Sequence, residues 1–456
     1  MNIFNNVLKK ILNNKYEWIC SRKIKQPPKS FLYKIKKSKK NFYKSLKGNY
    51  TKFILECKKK SPSLGIMRKN FNIIDIVNKY EKYASSISIL TDEKYFNGSF
   101  ENMLLASRNT KHPILCKDFI IDIYQIYLAR LYGADAILLI LSILEDHQYN
   151  ILSNLAHSLN MGVLTEINNE KELNRAIFLN AKVIGINNRN LNNMSINTNK
   201  TKILSKKIPR YITVISESGI KCYSQIRSLS CFVNGFLIGS SLMKEDNIEK
   251  AICRITLGEN KICGLKRIKD ANIAYKSGAI YGGLIFTNES LRKIDILKAK
   301  EISNNIPLDF VGVFKNQTIS YILHILNSVN LKVIQLHGQE DQKYINILKK
   351  YLSNNIKIWK VISINNILPK IKKYKNIDNY IFDNDKNNNT KCFNWDLLKK
   401  CNLKKSILAG GINIKNCILA SKIGCTGLDL SSGIEKKPGI KDIKKIINLF
   451  HKIRIY

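Results

Sequence analysis

The sequence lacks the residue patterns that mark several large protein classes. It has 11 cysteines but no CxxC pair; the closest two, Cys417 and Cys425, stand eight residues apart. An odd count scattered through apolar runs, as at Cys116 and Cys231, suits reduced thiols in a cytoplasmic protein, not a disulfide framework. The six histidines form no HExxH or other ligand spacing, so no metal site is expected. No apolar run is long. The longest, AILLILSIL at 136–144, is bracketed by Asp135 and Glu145 and falls short of the roughly 20 residues a bilayer span needs. No continuous apolar core follows the basic residues of the N-terminus, so a secretory signal is not expected. Instead Phe4, Val7, Leu8, Ile11 and Leu12 recur at helical spacing and predict an amphipathic helix.

Acidic residues are scarce as well. Against 76 Lys and Arg stand 34 Asp and Glu, a net charge of +42. Such an excess can be the footprint of nucleic-acid binding, because dense Lys and Arg attract phosphate backbones. Here the lysines are not confined to one tail or helix. They swell together with Asn and Ile, as in KNNN, NIKIWK and NNKY, and the aromatics make no RNA-binding strand pattern such as Lys-Gly-Phe-Gly-Phe. A composition bias is the plainer reading, with general attraction to polyanions as its consequence. No specific nucleic-acid partner and no membrane partner is expected, and the chain is expected to be a monomer.

What the sequence does have is a repeated alternation. At 456 residues it has room for three domains of ~150 residues or two α/β barrels of ~250. Short apolar runs alternate with longer helical stretches throughout. The first half has FILEC (53–57), SISILT (86–91), PILCKDF (113–119), AILLI (136–140), GVLTEI (162–167), VIGINNR (183–189), TVISESG (213–219) and GFLIGSS (235–241). The second has KICGL (261–265), YGGLIF (281–286), FVGVF (310–314), VIQLHG (333–338), IWKVI (358–362), YIFD (380–383), SILAGG (406–411) and GLDLSS (427–432). Continuous apolar character suits strands buried on both faces of a parallel sheet. Eight strand–helix units, twice, predict an α/β protein of two tandem (β/α)8 (TIM) barrels, the first with an N-terminal helical extension. One or two open, doubly wound sheets are the alternative, but neither half opens with GxGxxG at its first strand–helix turn.

Polar residues gather at the C-terminal ends of these runs: Glu56 and Lys58, Lys117 and Asp118, Glu166, Asn187 and Arg189, Glu217 and Ser218. In a barrel those ends share one face, where active sites sit. The stretch FILECKKKSPS (53–63) shows how direction matters. Strand alternation sends Ile54, Glu56 and Lys58 to one side and Phe53, Leu55 and Cys57 to the other. Glu56 and Lys58 then line the mouth together, Lys59 points away, and Lys60 begins a loop.

FILECKKKSPS, ILCKDF, GVLTEI, GINNRNL, VISESGI and NGFLIGSSLM, in this order, closely resemble the indole-3-glycerol phosphate synthase family over residues 1–255. The resemblance implies a carboxyphenylamino-deoxyribulose phosphate substrate that cyclises with loss of carbon dioxide and water. It implies Lys117 as general acid, Lys58 as anion binder and second proton donor, Glu166 as general base, and Glu56 assisting them. Asn187 and Arg189 would hold the anthranilate carboxylate and hydroxyls, and Ser218, Gly219, Gly239 and Ser240 the phosphate. Ser61 and Phe119 would line the same site. The family's frequent Arg-Asp-Leu is Arg189-Asn190-Leu191 here, and Leu64 stands where Lys is common.

In the second half KICGLKR, GGLIF, VGVF, VIQLHG, IWK, YIFDND, LAGGI and GLDLSSGIE resemble phosphoribosylanthranilate isomerase over residues 256–456. That family performs an Amadori rearrangement, aldose to ketose on an amino sugar. The resemblance implies Cys263 as base, poised as thiolate, and Asp383 as acid. Arg292 would bind the anthranilate carboxylate, Gln335, His337 and Asp429 would line the site, and Gly410, Gly411, Ser431, Ser432 and Gly433 would cradle phosphate. The family's glycine-rich loop after the acid reads NDKNNNTK (384–391) here, which predicts slower closure, since Asn tolerates left-handed backbone less well than Gly. Synthase followed by isomerase resembles the bifunctional tryptophan-biosynthesis enzymes, which need no cofactor. Two rivals stand beside this: a nucleic-acid-binding protein, and an enzyme with one inactive half kept as scaffold.

Overall fold

The apolar runs of the first half become strands β1 (Lys52–Cys57), β2 (Ser86–Leu90), β3 (Ile114–Lys117), β4 (Ala136–Ile140), β5 (Gly162–Ile167), β6 (Val183–Asn187), β7 (Thr213–Glu217) and β8 (Gly235–Ile238). The structure is a computed structural model of the chain and describes residues 5–190, 194–365, 367–369, 373–384 and 392–455. Neighbouring strands pair in parallel, and β1 pairs with both β2 and β8, so the sheet closes on itself. Residues of β2, β4, β5, β6 and β8 are buried throughout. Buried strands of this kind need no polar face, because helices cover one side and the barrel interior the other. Helix Ile73–Tyr80 is one such cover: Asn72 caps it, accepting the Ile74 and Asp75 N–H groups, and it buries Ile73, Ile76, Val77 and Tyr80.

Ile54, Leu115, Leu138, Leu164, Ile215 and Leu237 meet inside the barrel with Phe42 and Leu46. Phe42 abuts Gly162 at the N-terminal end of β5, where a Cβ would lie 2.6 Å from its ring. The short helix Phe42–Ser45 thus plugs the bottom of the barrel and leaves the C-terminal face for polar groups. Burying one such apolar side chain contributes about 1.5–3 kcal/mol.

The second half forms β9 (Lys261–Cys263), β10 (Tyr281–Ile285), β11 (Asp309–Phe314), β12 (Val333–Leu336), β13 (Lys357–Ile364), β14 (Asn379–Asn384), β15 (Ser406–Leu408) and β16 (Gly427–Leu430). These are parallel too, and β9 closes the ring between β10 and β16. Both sheets are closed barrels, so the open-sheet alternative is excluded. The chain folds as two compact units, residues 1–221 with 228–252 and residues 222–227 with 253–456.

Strand ends fall a little short of the apolar runs, for local reasons. TVISESG stops being strand at Glu217 because Ser218 and Gly219 take left-handed backbone, φ +64° and +82°. Lys60 does not begin a free loop: Lys60–Ser61 pairs with Gly65–Ile66 in a small hairpin. Helix Asn5–Lys25 forms the N-terminal extension; Phe4 lies outside the described residues. Among the described residues no helix is long and apolar enough to cross a membrane.

Candidate active sites

Strand register assembles the first mouth. It sets Leu90 beside Lys117, Glu166 beside Gly185, and Asn187 beside Glu217. Gly185 matters because the Glu217 carboxylate occupies the space a Cβ would take. Gly239 likewise yields its Cβ space to the Glu56 carboxylate. Every first-half candidate lines one cavity of about 590 Å3: Glu56, Lys58, Ser61, Lys117, Phe119, Glu166, Asn187, Arg189, Ser218, Gly219, Gly239 and Ser240. Lys59 does not line it, as alternation along β1 requires, and neither does Lys60, which belongs to the hairpin that follows.

The charges in this cavity interlock. Lys58 Nζ lies 2.5 Å from Glu56 Oε1. Lys117 Nζ lies 3.5 Å from Glu166 Oε2 and 3.7 Å from Glu217 Oε2. The Asn187 amide donates to Glu166 Oε1 at 2.9 Å, and the Arg189 N–H donates to Asn187 Oδ1 at 2.9 Å. Burial pulls the Lys117 ammonium down, but Glu166, Glu217 and Glu56 together hold it above its ordinary range. Burial opposes ionisation of Glu56, yet Lys58 and Lys117 bring its pKa below the ordinary value. Glu217 goes the other way. Burial, reinforced by Glu166 and Glu56, outweighs Lys117 and pushes it up to about 8. Ser61 Oγ is buried and has no hydrogen-bond partner among the described residues.

Sequence reasoning placed Glu217 at a strand end without giving it a role, and missed what the N-terminal helix brings. Leu8 and Ile11 line the cavity. Lys15, one turn beyond Ile11, is 2% exposed, and its Nζ lies 2.8 Å from Asp92 Oδ2 and 2.7 Å from Asp118 Oδ1. Asp118 also accepts from Thr91 Oγ1 at 2.8 Å and from the Phe119 N–H at 2.8 Å, which fixes the chain just after Lys117. The signal was present: Ile11, Lys15 and Ile19 are spaced i, i+4, and all three are buried, so a lysine interrupts an apolar stripe.

The second mouth is tighter. Cys263 ends β9 beside Ile285 and Val313. Lys261 Nζ donates to Asp429 Oδ2 at 2.7 Å and to Gln335 Oε1 at 2.8 Å. His337 Nε2 and Asp383 Oδ2 are 3.7 Å apart. Arg292 donates through Nε and Nη2 to Glu435, with a shortest distance of 2.8 Å, and Lys441 reaches the same carboxylate at 2.8 Å. Gly264, at φ +76°, lets Arg292 cross: a Cβ would lie 2.8 Å from its Cδ. Gly410 and Gly411 have φ +82° and +68°, and Ser431 Oγ donates to the Cys263 carbonyl at 3.5 Å. Ser432 and Gly433 follow in the turn Ser432–Ile434. The resting thiol of Cys263 does not match a poised thiolate. Burial raises its pKa, and Lys261 offsets that only in part. Of the loop 384–391, residues 385–391 lie outside the described residues, as does Leu191.

Comparison with known proteins assigns the two halves. The family model for indole-3-glycerol phosphate synthase matches residues 8–255, and that for N-(5'-phosphoribosyl)anthranilate isomerase matches residues 260–452. A "Tryptophan biosynthesis protein TrpCF" of Buchnera aphidicola subsp. Diuraphis noxia is 58% identical over 99% of both chains. One of Salmonella typhi is 51% identical over 99% of both. The chain belongs to this bifunctional tryptophan-biosynthesis family. Its N-terminal part is an indole-3-glycerol phosphate synthase, a decarboxylating lyase, and its C-terminal part is a phosphoribosylanthranilate isomerase. Both members of this family pair act on phosphorylated intermediates.

Proposed function

We propose the following division of labour, with residues 1–255 as the synthase unit and 256–456 as the isomerase unit. The isomerase acts first, and its ketose product is the synthase substrate. In the synthase, Lys117 protonates the substrate carbonyl so that the aromatic carbon can attack it. Carbon dioxide and water then leave. Lys58 binds the substrate anion and donates in the dehydration, Glu166 takes the proton that completes the aromatic ring, and Glu56 holds Lys58. Asn187 and Arg189 orient the anthranilate part, with Phe119 and Ser61 on the wall. Ser218, Gly219, Gly239 and Ser240 receive the phosphate. The observation that carries this reading is Lys117, held as an ammonium 3.5 Å from Glu166 inside the cavity. Acid and base are thus adjacent.

In the isomerase, Asp383 protonates the ring oxygen as the furanose opens, and Cys263 removes the C2 proton. Arg292 keeps Nη1 for the anthranilate carboxylate while Glu435 fixes its other edge. Gly410, Gly411, Ser431, Ser432 and Gly433 take the phosphate, and Gln335, His337 and Asp429 line the pocket. The enzyme works as a cytoplasmic monomer, a placement supported by cysteines that form no disulfide among the described residues. Its excess charge reflects composition rather than a nucleic-acid site, and a salt-dependent shift with DNA at physiological ionic strength would contradict that. The main test assays each reaction separately in wild type, Lys117→Ala and Cys263→Ala. Each substitution abolishes one activity and spares the other. Loss of both activities in either variant, or survival of the targeted one, overturns the division.

A further inference from the structure

The second barrel holds a lysine that the mechanism above does not use. Lys261 stands two residues before Cys263 on β9, so the two side chains leave the same side of the strand. Lys261 has no exposed surface. An ammonium in such a place requires compensating partners. It has two hydrogen-bond partners, Gln335 Oε1 at 2.8 Å and Asp429 Oδ2 at 2.7 Å, and the Cys263 sulfur lies within its electrostatic reach. Two of the three N–H donors of the ammonium are committed to acceptors on different strands, which fixes its position. Residues of β9, β12 and β16 converge on this one nitrogen.

The space around the pair is equally specific. Gly283 on β10 is paired with Cys263, and a Cβ there would lie 2.8 Å from the sulfur and 2.9 Å from Lys261 Cε. Ile285 and Val313 are the apolar neighbours of the thiol. The charged groups that act on the sulfur are Lys261 from its own strand, Asp429 from β16, and Lys441 more weakly. In apolar surroundings a thiolate is costly unless a cation touches it. Lys261, whose Cε crowds the same Gly283 position as the sulfur, is the cation that acts on it most strongly.

We propose that Lys261 is a positioning residue of the isomerase reaction, whose immobile ammonium lets Cys263 act as a thiolate. The inference rests on the reading of Cys263 as base. The thiolate takes the C2 proton and becomes a thiol, while the C–H electron pair moves into the enamine formed towards the protonated imine nitrogen. Lys261 keeps all its protons, because Asp429 and Gln335 hold two of them and its charge is needed against the sulfur.

The test follows alkylation of Cys263 by iodoacetamide in the full chain against pH, read from the mass of its own peptide, together with the pH profile of isomerase kcat/KM. Lys261→Met should move the acid limb of both upward by at least about one pH unit, seen as roughly tenfold slower alkylation below that limb. Lys261→Arg, which restores the charge, should return both limbs towards wild type. If circular dichroism shows that Lys261→Met does not fold, Lys261→Gln keeps a donor against Asp429 and carries the same readout. Unmoved limbs in a folded neutral variant overturn the proposal, even if turnover falls. Cys263→Ala separates the two ways of failing. Isomerisation that survives in it removes the base assignment itself. An inactive Cys263→Ala alongside unmoved limbs in Lys261→Met removes only the role of Lys261.

Discussion

In the first barrel Lys117 faces a cavity of about 590 Å3, with carboxylates at 3.5 and 3.7 Å. In the second, Lys261 is wholly buried with a carboxylate at 2.7 Å and an amide oxygen at 2.8 Å. Both lysines sit at or near strand ends on the same fold, yet their surroundings suit different tasks. A lysine at more than 3 Å from two acceptors keeps an N–H for substrate. A fully buried lysine held by a carboxylate and an amide oxygen within hydrogen-bond distance is placed to supply a fixed field. On the proposed roles, contact distance, and not residue type, separates a lysine that gives a proton from one that shapes another group's acidity.

The sharpest way to break this contrast is at Glu166. Glu166→Gln keeps the Asn187 contact but removes a base next to Lys117. Synthase kcat should fall by about 10²–10⁴, with the isomerase unchanged in the same preparation. A fall of less than tenfold would mean that Lys117 finds its partner elsewhere, with Glu217 the first suspect.

Next in size is the buried Lys15 triad. Lys15→Met leaves Asp92 and Asp118 facing each other without a cation, which should cost about 3 kcal/mol. The urea midpoint should drop and synthase turnover should fall, because Asp118 fixes the chain after Lys117. Isomerase turnover should stay at the wild-type level. An unchanged midpoint would show that the N-terminal helix is held by Ile11 and Ile19 alone.

Glu217 gives a smaller effect with a definite sign. Its folded pKa of about 8 lies above its ordinary value, so the folded unit binds this proton more tightly than the unfolded chain does. The stability it contributes is full below pH ~4.5 and is lost as pH rises through about 8. Unfolding free energies from urea melts at pH 5 and pH 8 should differ more in wild type than in Glu217→Gln, by about 3 kcal/mol. An equal pH dependence in the two proteins would mean that Glu217 is ionised throughout.

Much of this was legible in the sequence, and for a physical reason. A strand buried on both faces must be apolar along its length, so each barrel strand stood out as a run, and polar residues at its end had to lie at the mouth. That logic reached Glu56, Lys117, Glu166 and Asn187. It did not reach Lys15, because a lysine within a helix pattern looks solvated until its counter-ions, 77 and 103 residues away, are seen beside it. Nor did it reach the Glu435 clamp on Arg292, made across 143 residues. The direction of the Cys263 shift was hidden for the same reason: burial and Lys261 oppose each other, and only packing decides which wins.

The smallest expected effect is at Lys59. It follows Lys58 directly, in a chain where lysine is abundant, and composition cannot tell the two apart. Alternation can. Lys58 Nζ meets Glu56 and lines the cavity, whereas Lys59 contributes its carbonyl to the Met67 N–H at 2.9 Å and its side chain is absent from the cavity wall. Lys59→Ala should therefore leave synthase kcat/KM within about twofold and stability within ~0.5 kcal/mol, while Lys58→Ala lowers kcat/KM at least about tenfold. A tenfold loss in Lys59→Ala would mean that the mouth recognises net positive charge near β1 and not the direction of one side chain. The contrast between a lysine placed for chemistry and one placed by composition would then fail at the position where the two stand side by side.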